Sequence, residues 1–170
     1  MLSAAEASGD LLGGELASAV KSLAPGTRLR GLAGPAMRAA GVEAIGETEE
    51  LGVMGVAEVF SELPKLRAAR RSLVSALADK PQALVVIDAP DFHIPVARKA
   101  RAAGIPVVFY GSPQVWAWRA RRARELAVLG QVLCLLPFEP ELYRAHGGQA
   151  DFVGHPARDR FSPSKPGSDW

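Results

Sequence analysis

The sequence predicts an α/β fold built on a doubly wound, mostly parallel sheet. Short apolar runs such as Leu84–Ile87, Ile105–Tyr110 and Gln131–Leu136 alternate with stretches of helical periodicity, the order that builds parallel strands with right-handed crossovers. The run Leu84–Ile87 is continuous rather than alternating, as in strands covered on both faces. It ends abruptly in Asp88-Ala89-Pro90-Asp91, and in open sheets of this kind ligands bind beyond the strands' carboxyl ends. With 170 residues, the chain has the length of one ordinary domain, able to bury roughly two thirds of its unfolded surface.

Taken in order, Met1–Ala4 reads as the last residues of a strand, so the chain is expected to start inside its first strand. A small-residue turn follows and leads into an apolar-periodic helix from Leu11 to Leu23. Ser8 is the expected N-cap, and Asp10 complements the helix dipole. Free amides at such a turn form a potential anion or sugar site. Leu29–Ala33 is a short strand, Pro35 opens a brief helix to Ala40, and Val42–Ile45 is a further strand. After the acidic Glu47–Glu50, the residues Val56, Val59, Phe60 and Leu63 fall at helical spacing, and Pro64 is expected to interrupt before a basic helix, Lys65–Ala78. Such a stripe is core or, given the Gly-rich flanks around Met54, a lipid-facing patch.

Beyond Asp88, a helix is expected from Ile94 to Ala103, with Pro95 in its first turn and Gly104 as its stop. Ile105–Tyr110 is the next strand. It leads into Ser112-Pro113-Gln114-Val115-Trp116-Ala117-Trp118-Arg119, whose two indoles must pack against something. Arg119, Arg121, Arg122 and Arg124 follow on a helix, as a solvated face or as a contact for phosphate or anionic lipid. Gln131–Leu136 and Ala150–Val153 are strands flanking a short helix, Glu141–His146. Residues 161–170 have linker composition.

Several classes are excluded or disfavoured. A net charge of +2 gives no case for nucleic acid, and no apolar run approaches the ~18 residues of a membrane span. Met1–Ala4 lacks the charged and apolar regions of a signal peptide, which favours the cytoplasm. The single cysteine, Cys134, reads as a small core residue. His93, His146 and His155 are far apart and no metal-ligand spacing occurs, so no metal and no cofactor are expected. Walker, Gly-x-Ser-x-Gly and GxGxxG motifs are missing.

Seven motifs together resemble one family. They are Ala-Glu6-Ala-Ser8-Gly9-Asp10, Gly-Leu-Ala-Gly34-Pro-Ala-Met37, Gly-Val-Met54-Gly55-Val-Ala-Glu58-Val, Ile-Asp88-Ala-Pro90-Asp91-Phe92, Ser112-Pro-Gln-Val-Trp116-Ala-Trp118-Arg119, Leu-Pro137-Phe138-Glu139 and Phe-Val-Gly154-His155-Pro156. In this order they look like lipid-A-disaccharide synthase. The resemblance implies the N-terminal half of an inverting glycosyltransferase with two Rossmann-like domains (GT-B type). Residues 1–160 would be the acceptor-side domain and 161–170 the linker, with the donor-binding domain outside this chain.

The implied reaction joins UDP-2,3-diacylglucosamine to 2,3-diacylglucosamine 1-phosphate, as a peripheral protein on the cytoplasmic face of the inner membrane. Asp88 matches the proposed base, and Asp91 is expected to cap the following helix. Glu6, Ser8, Gly9 and Asp10, with Ser112, Trp116 and Arg119, match the substrate-binding loops. Met54, Val56, Val59, Phe60 and Leu63 would form the acyl or membrane patch, since each buried methylene is worth about 0.8 kcal/mol. The chain departs from the family pattern at Ala5, where glycine is usual, at Phe109-Tyr110-Gly111, and at His93, where Asn is common. By itself it is expected to lack turnover. A non-catalytic binding module that kept the acceptor surface is the alternative, and a sugar-nucleotide epimerase a weaker third.

Overall fold

The structure, a computed structural model, describes residues 1–48, 59–112 and 120–160. In chain order its strands are β1 (Leu2–Ala4), β2 (Arg30–Ala33), β3 (Glu43–Glu47), β4 (Leu84–Ile87), β5 (Val107–Tyr110), β6 (Gln131–Cys134) and β7 (Ala150–Phe152). The helices are α1 (Ala7–Leu23), α2 (Pro35–Ala39), α3 (Val59–Ala76), α4 (Pro90–Ala102), α5 (Ala120–Leu129), α6 (Glu139–Arg144) and α7 (Ala157–Arg160).

One sheet has the order β1-β4-β5-β6-β7, with every pairing parallel. β2 and β3 form a second parallel pair, and β2 closes on the other edge of β1. The approach is so tight that a Cβ on Gly31 would stand 1.8 Å from the Leu2 carbonyl oxygen, so a residue with a side chain cannot be placed there without moving backbone. The chain therefore leaves β1 toward one flank and later returns to β4 on the other. The border of β1 and β4 is the point where strand order reverses, and a crevice opens at the carboxyl end of such a border.

Both faces of the sheet are covered, as the continuous apolar runs require. Within β4, Leu84 and Val86 enter a core cluster with Leu73, Phe92, Val96, Leu126 and Tyr143. Ile87 points the other way, toward Leu2, Ala17, Met37 and Tyr110. Each fully buried side chain of this size contributes roughly 1.5–3 kcal/mol, so these two layers fix the strand register and with it the loops that follow. Cys134 is wholly buried, as expected, and burial pushes its thiol up to about 12.

Helix starts differ from the sequence expectations. α1 begins at Ala7 with Glu6 as its N-cap and no side-chain cap bond, so Ser8 lies inside the first turn rather than capping it. α4 begins at Pro90, four residues early, because Ala89 takes a left-handed conformation and the rigid Pro90 suits the first helical position. Asp91 thus sits in the first turn and pairs with Arg122 of α5 instead of capping.

The proline expectations also shift. α3 runs from Val59 to Ala76 with Pro64 inside it, and α4 carries Pro95 in its second turn. Pro95 has no N–H for the carbonyl of Asp91, four residues back. The Arg70 guanidinium of α3 donates to that carbonyl at 3.3 Å, filling the vacant acceptor and tying the two helices together.

Candidate active site

Ala4 of β1 is paired with Ile87 of β4, so Ala5 and Asp88 leave the sheet side by side. Asp88 (φ 56°) and Ala89 (φ 35°) both adopt left-handed backbone, which costs about 1–2 kcal/mol per residue outside glycine. This turn folds the Asp88 side chain back over the start of α1. The Ala5 N–H donates to Asp88 Oδ1 at 3.2 Å. Asp88 Oδ2 is buried without a hydrogen-bond partner and lies so close to Gly9 that a Cβ at position 9 would stand 1.6 Å from it.

These surroundings set the acidity of Asp88. Burial raises its pKa to about 7; the Ala5 amide opposes that, the Glu6 charge adds to it, and the amides of Glu6 and Gly9 oppose it more weakly. A carboxylate poised near neutrality is suited to taking a proton at physiological pH.

Behind the turn stands His93, fully buried on α4. Its Nδ1 is 3.1 Å from the Asp88 carbonyl oxygen and its Nε2 is 3.0 Å from Ser3 Oγ. A carbonyl can only accept, so Nδ1 carries the proton and Nε2 accepts from the Ser3 hydroxyl. Burial lowers the ring's pKa to about 4, with the Arg70 charge a lesser cause in the same direction, so the imidazole is neutral near pH 7.

Asp10 is nearly buried and faces α2 rather than open space. Its Oδ1 accepts from the amides of Gly34 (2.8 Å) and Met37 (3.1 Å), and its Oδ2 from that of Ala36 (2.8 Å). It thereby caps α2 and ties that helix to the start of α1. Glu6 and Ser8 are exposed. Ser112 lies beyond β5, 2.7 Å from the hydroxyl of buried Tyr143, and burial raises that phenol to about 12. Buried Glu139 accepts from the Leu136 amide at 3.0 Å, fixing the turn after β6.

Trp116, Arg119, Met54 and Val56 lie outside the described residues. Val59 and Phe60 open α3, and Leu63 is partly buried on it. Arg122 points to Asp91. Among the described residues no cluster of metal-ligating side chains occurs and no helix is long and apolar enough to cross a membrane.

The structure thus brings Asp88, Glu6, Gly9 and, as a support, Asp10 together at the switch point. Sequence reading missed Ser3 and His93, which support the Asp88 turn, and Tyr143, which holds Ser112. Ser3 and His93 are 90 residues apart, and only the pairing of β1 with β4 joins them.

The profile of the lipid-A-disaccharide synthetase family matches residues 1–170. The chain belongs to that family. A lipid-A-disaccharide synthase of Neisseria gonorrhoeae is 48% identical over 157 residues, covering 91% of this chain and 40% of the relative. The Alkalilimnicola ehrlichii synthase is 46% identical over 162 residues, 94% of this chain and 42% of the relative. That of Anaeromyxobacter dehalogenans is 41% identical over 170 residues, 99% and 44%. This synthetase-family chain thus spans well under half the length of these relatives. In fold it is similar to MurG of Acinetobacter baumannii, with a TM-score of 0.50 and 20% identity over 81% of this chain and 40% of that one.

Proposed function

We propose that the synthetase-family protein containing this chain is an inverting glycosyltransferase, joining UDP-2,3-diacylglucosamine to 2,3-diacylglucosamine 1-phosphate with release of UDP. The observation that carries the reading is the Asp88 carboxylate, held at the switch point with its pKa raised to about 7. In the proposed step Asp88 takes the proton of the acceptor's 6-hydroxyl while that oxygen bonds to the donor's anomeric carbon. The bond from that carbon to the UDP oxygen breaks on the opposite face, and UDP leaves with the electron pair. Positioned proton transfer of this kind is worth about 10²–10⁴-fold.

In this reading residues 1–160 form the acceptor-side domain, 161–170 a linker, and a further domain holds the donor; the length of the relatives leaves room for one. Glu6, Ser8, Gly9, Ser112, Trp116 and Arg119 surround the acceptor, while Asp10 acts through α2. Met54, Val56, Val59, Phe60 and Leu63 meet acyl chains or the inner-membrane surface from the cytoplasmic side. Basic residues on α3, including the exposed Arg67 and Arg71, favour an anionic surface.

The test is a chimera in which residues 1–160 replace the matching part of the Neisseria gonorrhoeae relative. It should transfer the sugar, and Asp88→Asn should lower kcat by about 10²–10⁴-fold. Near-native turnover in Asp88→Asn would remove Asp88 as the base. A folded chimera that binds the acceptor without turnover would favour the binding-module reading instead.

A further inference from the structure

We propose that His93 is a positioning residue for the candidate base: by clamping the Asp88 carbonyl to β1 through Ser3, it holds the left-handed turn that lays the Asp88 carboxylate against Gly9. Its importance for catalysis rests on the reading above, but the clamp itself does not.

The observations converge on this role. Two consecutive non-glycine residues in left-handed conformation are unfavourable and persist only where surrounding contacts hold them. Ahead of the turn lies β4, locked in register with β1; after it lies α4, whose first bonds run from the amides of Phe92 and His93 to the Ala89 carbonyl. The Asp88 carbonyl between them would be a strained acceptor without the His93 Nδ1–H. The ring has no freedom to turn away, because Ser3 binds its other nitrogen and it is fully buried, edge-on to Phe92 at 4.9 Å and 87°. Arg70 stacks over Phe92 at 5.4 Å, so its charge discourages protonation of the ring. Around Asp88, Glu6 is the other charge that bears on the carboxylate. A neutral ring donating through Nδ1 and accepting through Nε2 satisfies every polar atom of the clamp.

The first measurement needs no variant. Nitrogen-detected NMR of the 170-residue chain should show His93 as the neutral Nδ1–H form across neutral pH; an Nε2–H form would overturn the clamp. The second is carbon-detected titration of the Asp88 carboxyl group in the same chain. With His93→Leu, the turn should relax and the Asp88 midpoint should fall by more than about one unit toward the ordinary carboxylate range. His93→Asn, whose amide nitrogen can reach the same carbonyl, should keep the midpoint near the native one. A folded His93→Leu chain with an unmoved midpoint would reduce His93 to core packing, and if that variant does not fold, a shifted midpoint in His93→Asn would overturn the proposal equally.

In the chimera, His93→Leu should lower kcat about tenfold, leave KM within about twofold, and move the acid limb of the kcat profile. Should the titration behave as expected while the native chimera shows no transfer, the positioning role stands and the assigned reaction falls.

Discussion

Gly9 and Asp88 touch across the β1/β4 border, with room at position 9 for a hydrogen and for no methyl group. Gly9→Ala should therefore expel the carboxylate rather than break the fold, because the clashing atom ends a flexible side chain. Alanine is the better helix former by roughly 0.8–1 kcal/mol, so the unfolding free energy should change by no more than about 1 kcal/mol. Transfer in the chimera should nevertheless drop by at least an order of magnitude. A denaturant melt beside a kcat measurement separates the two, and full activity in Gly9→Ala would mean the observed carboxylate position is not the working one.

Asp88 and His93 should oppose one another in the pH dependence of stability. The pKa of Asp88 is raised on folding, so its favourable contribution is complete below about 4 and is lost as pH rises through about 7. That of His93 is lowered from 6.5 to about 4, so its contribution is present above 6.5 and lost as pH falls toward 4. Between these limits the slopes partly cancel in the native chain. Asp88→Asn, tolerated in left-handed backbone, should be more stable than wild type at pH 8 by roughly 1–3 kcal/mol and should unmask a steeper acid loss below 6.5. Urea midpoints from pH 4 to 8 measure both, and a variant less stable than wild type at pH 8 contradicts the burial assigned to Asp88.

Asp10 supports α2 through three amides. Asp10→Ala should cost about 2–4 kcal/mol, the loss of a cap together with charge-assisted bonds at a buried site. Asp10→Asn keeps an acceptor for Oδ1's two partners but turns an N–H toward Ala36, so about half that loss is expected. Chemical denaturation of the two variants gives the ranking, and equal stabilities would show that the amides find other acceptors.

The apolar segment offers a sharper division between core and surface. Replacing Val59, Phe60 and Leu63 together by Ser should reduce sedimentation with anionic phospholipid vesicles severalfold while the melt stays cooperative. Unchanged partitioning with a lost transition would place these residues in the core.

The sheet and the strand edge that carries Asp88 were legible because they depend on local signals. A continuous apolar run ending at Asp88 suffices to predict β4 and the exposed strand end, and the Pro-Gly punctuation marks most helix limits. The start of α4 was misplaced because a left-handed Ala89 has no composition signal, although Pro90 at a first helical position was a usable hint. Pro64 was expected to interrupt, yet α3 runs through it; Pro95 falls in the second turn instead of the first because α4 starts early, and its compensating donor, Arg70, is 21 residues from the Asp91 carbonyl it serves. Asp10 was read as serving its own helix, whereas its partners stand 24 to 27 residues ahead. Ser3 and His93 could not be joined without knowing which strands pair.

Because Ala5 leaves the sheet in register with Asp88, its amide proton is shielded only while the carboxylate stays docked. Its exchange with solvent deuterium thus reports, at a single atom, the lifetime of the armed geometry. Slow exchange would mean that the chain by itself already holds the Asp88 carboxylate docked, and that little ordering of this turn remains to be done on encounter with a ligand.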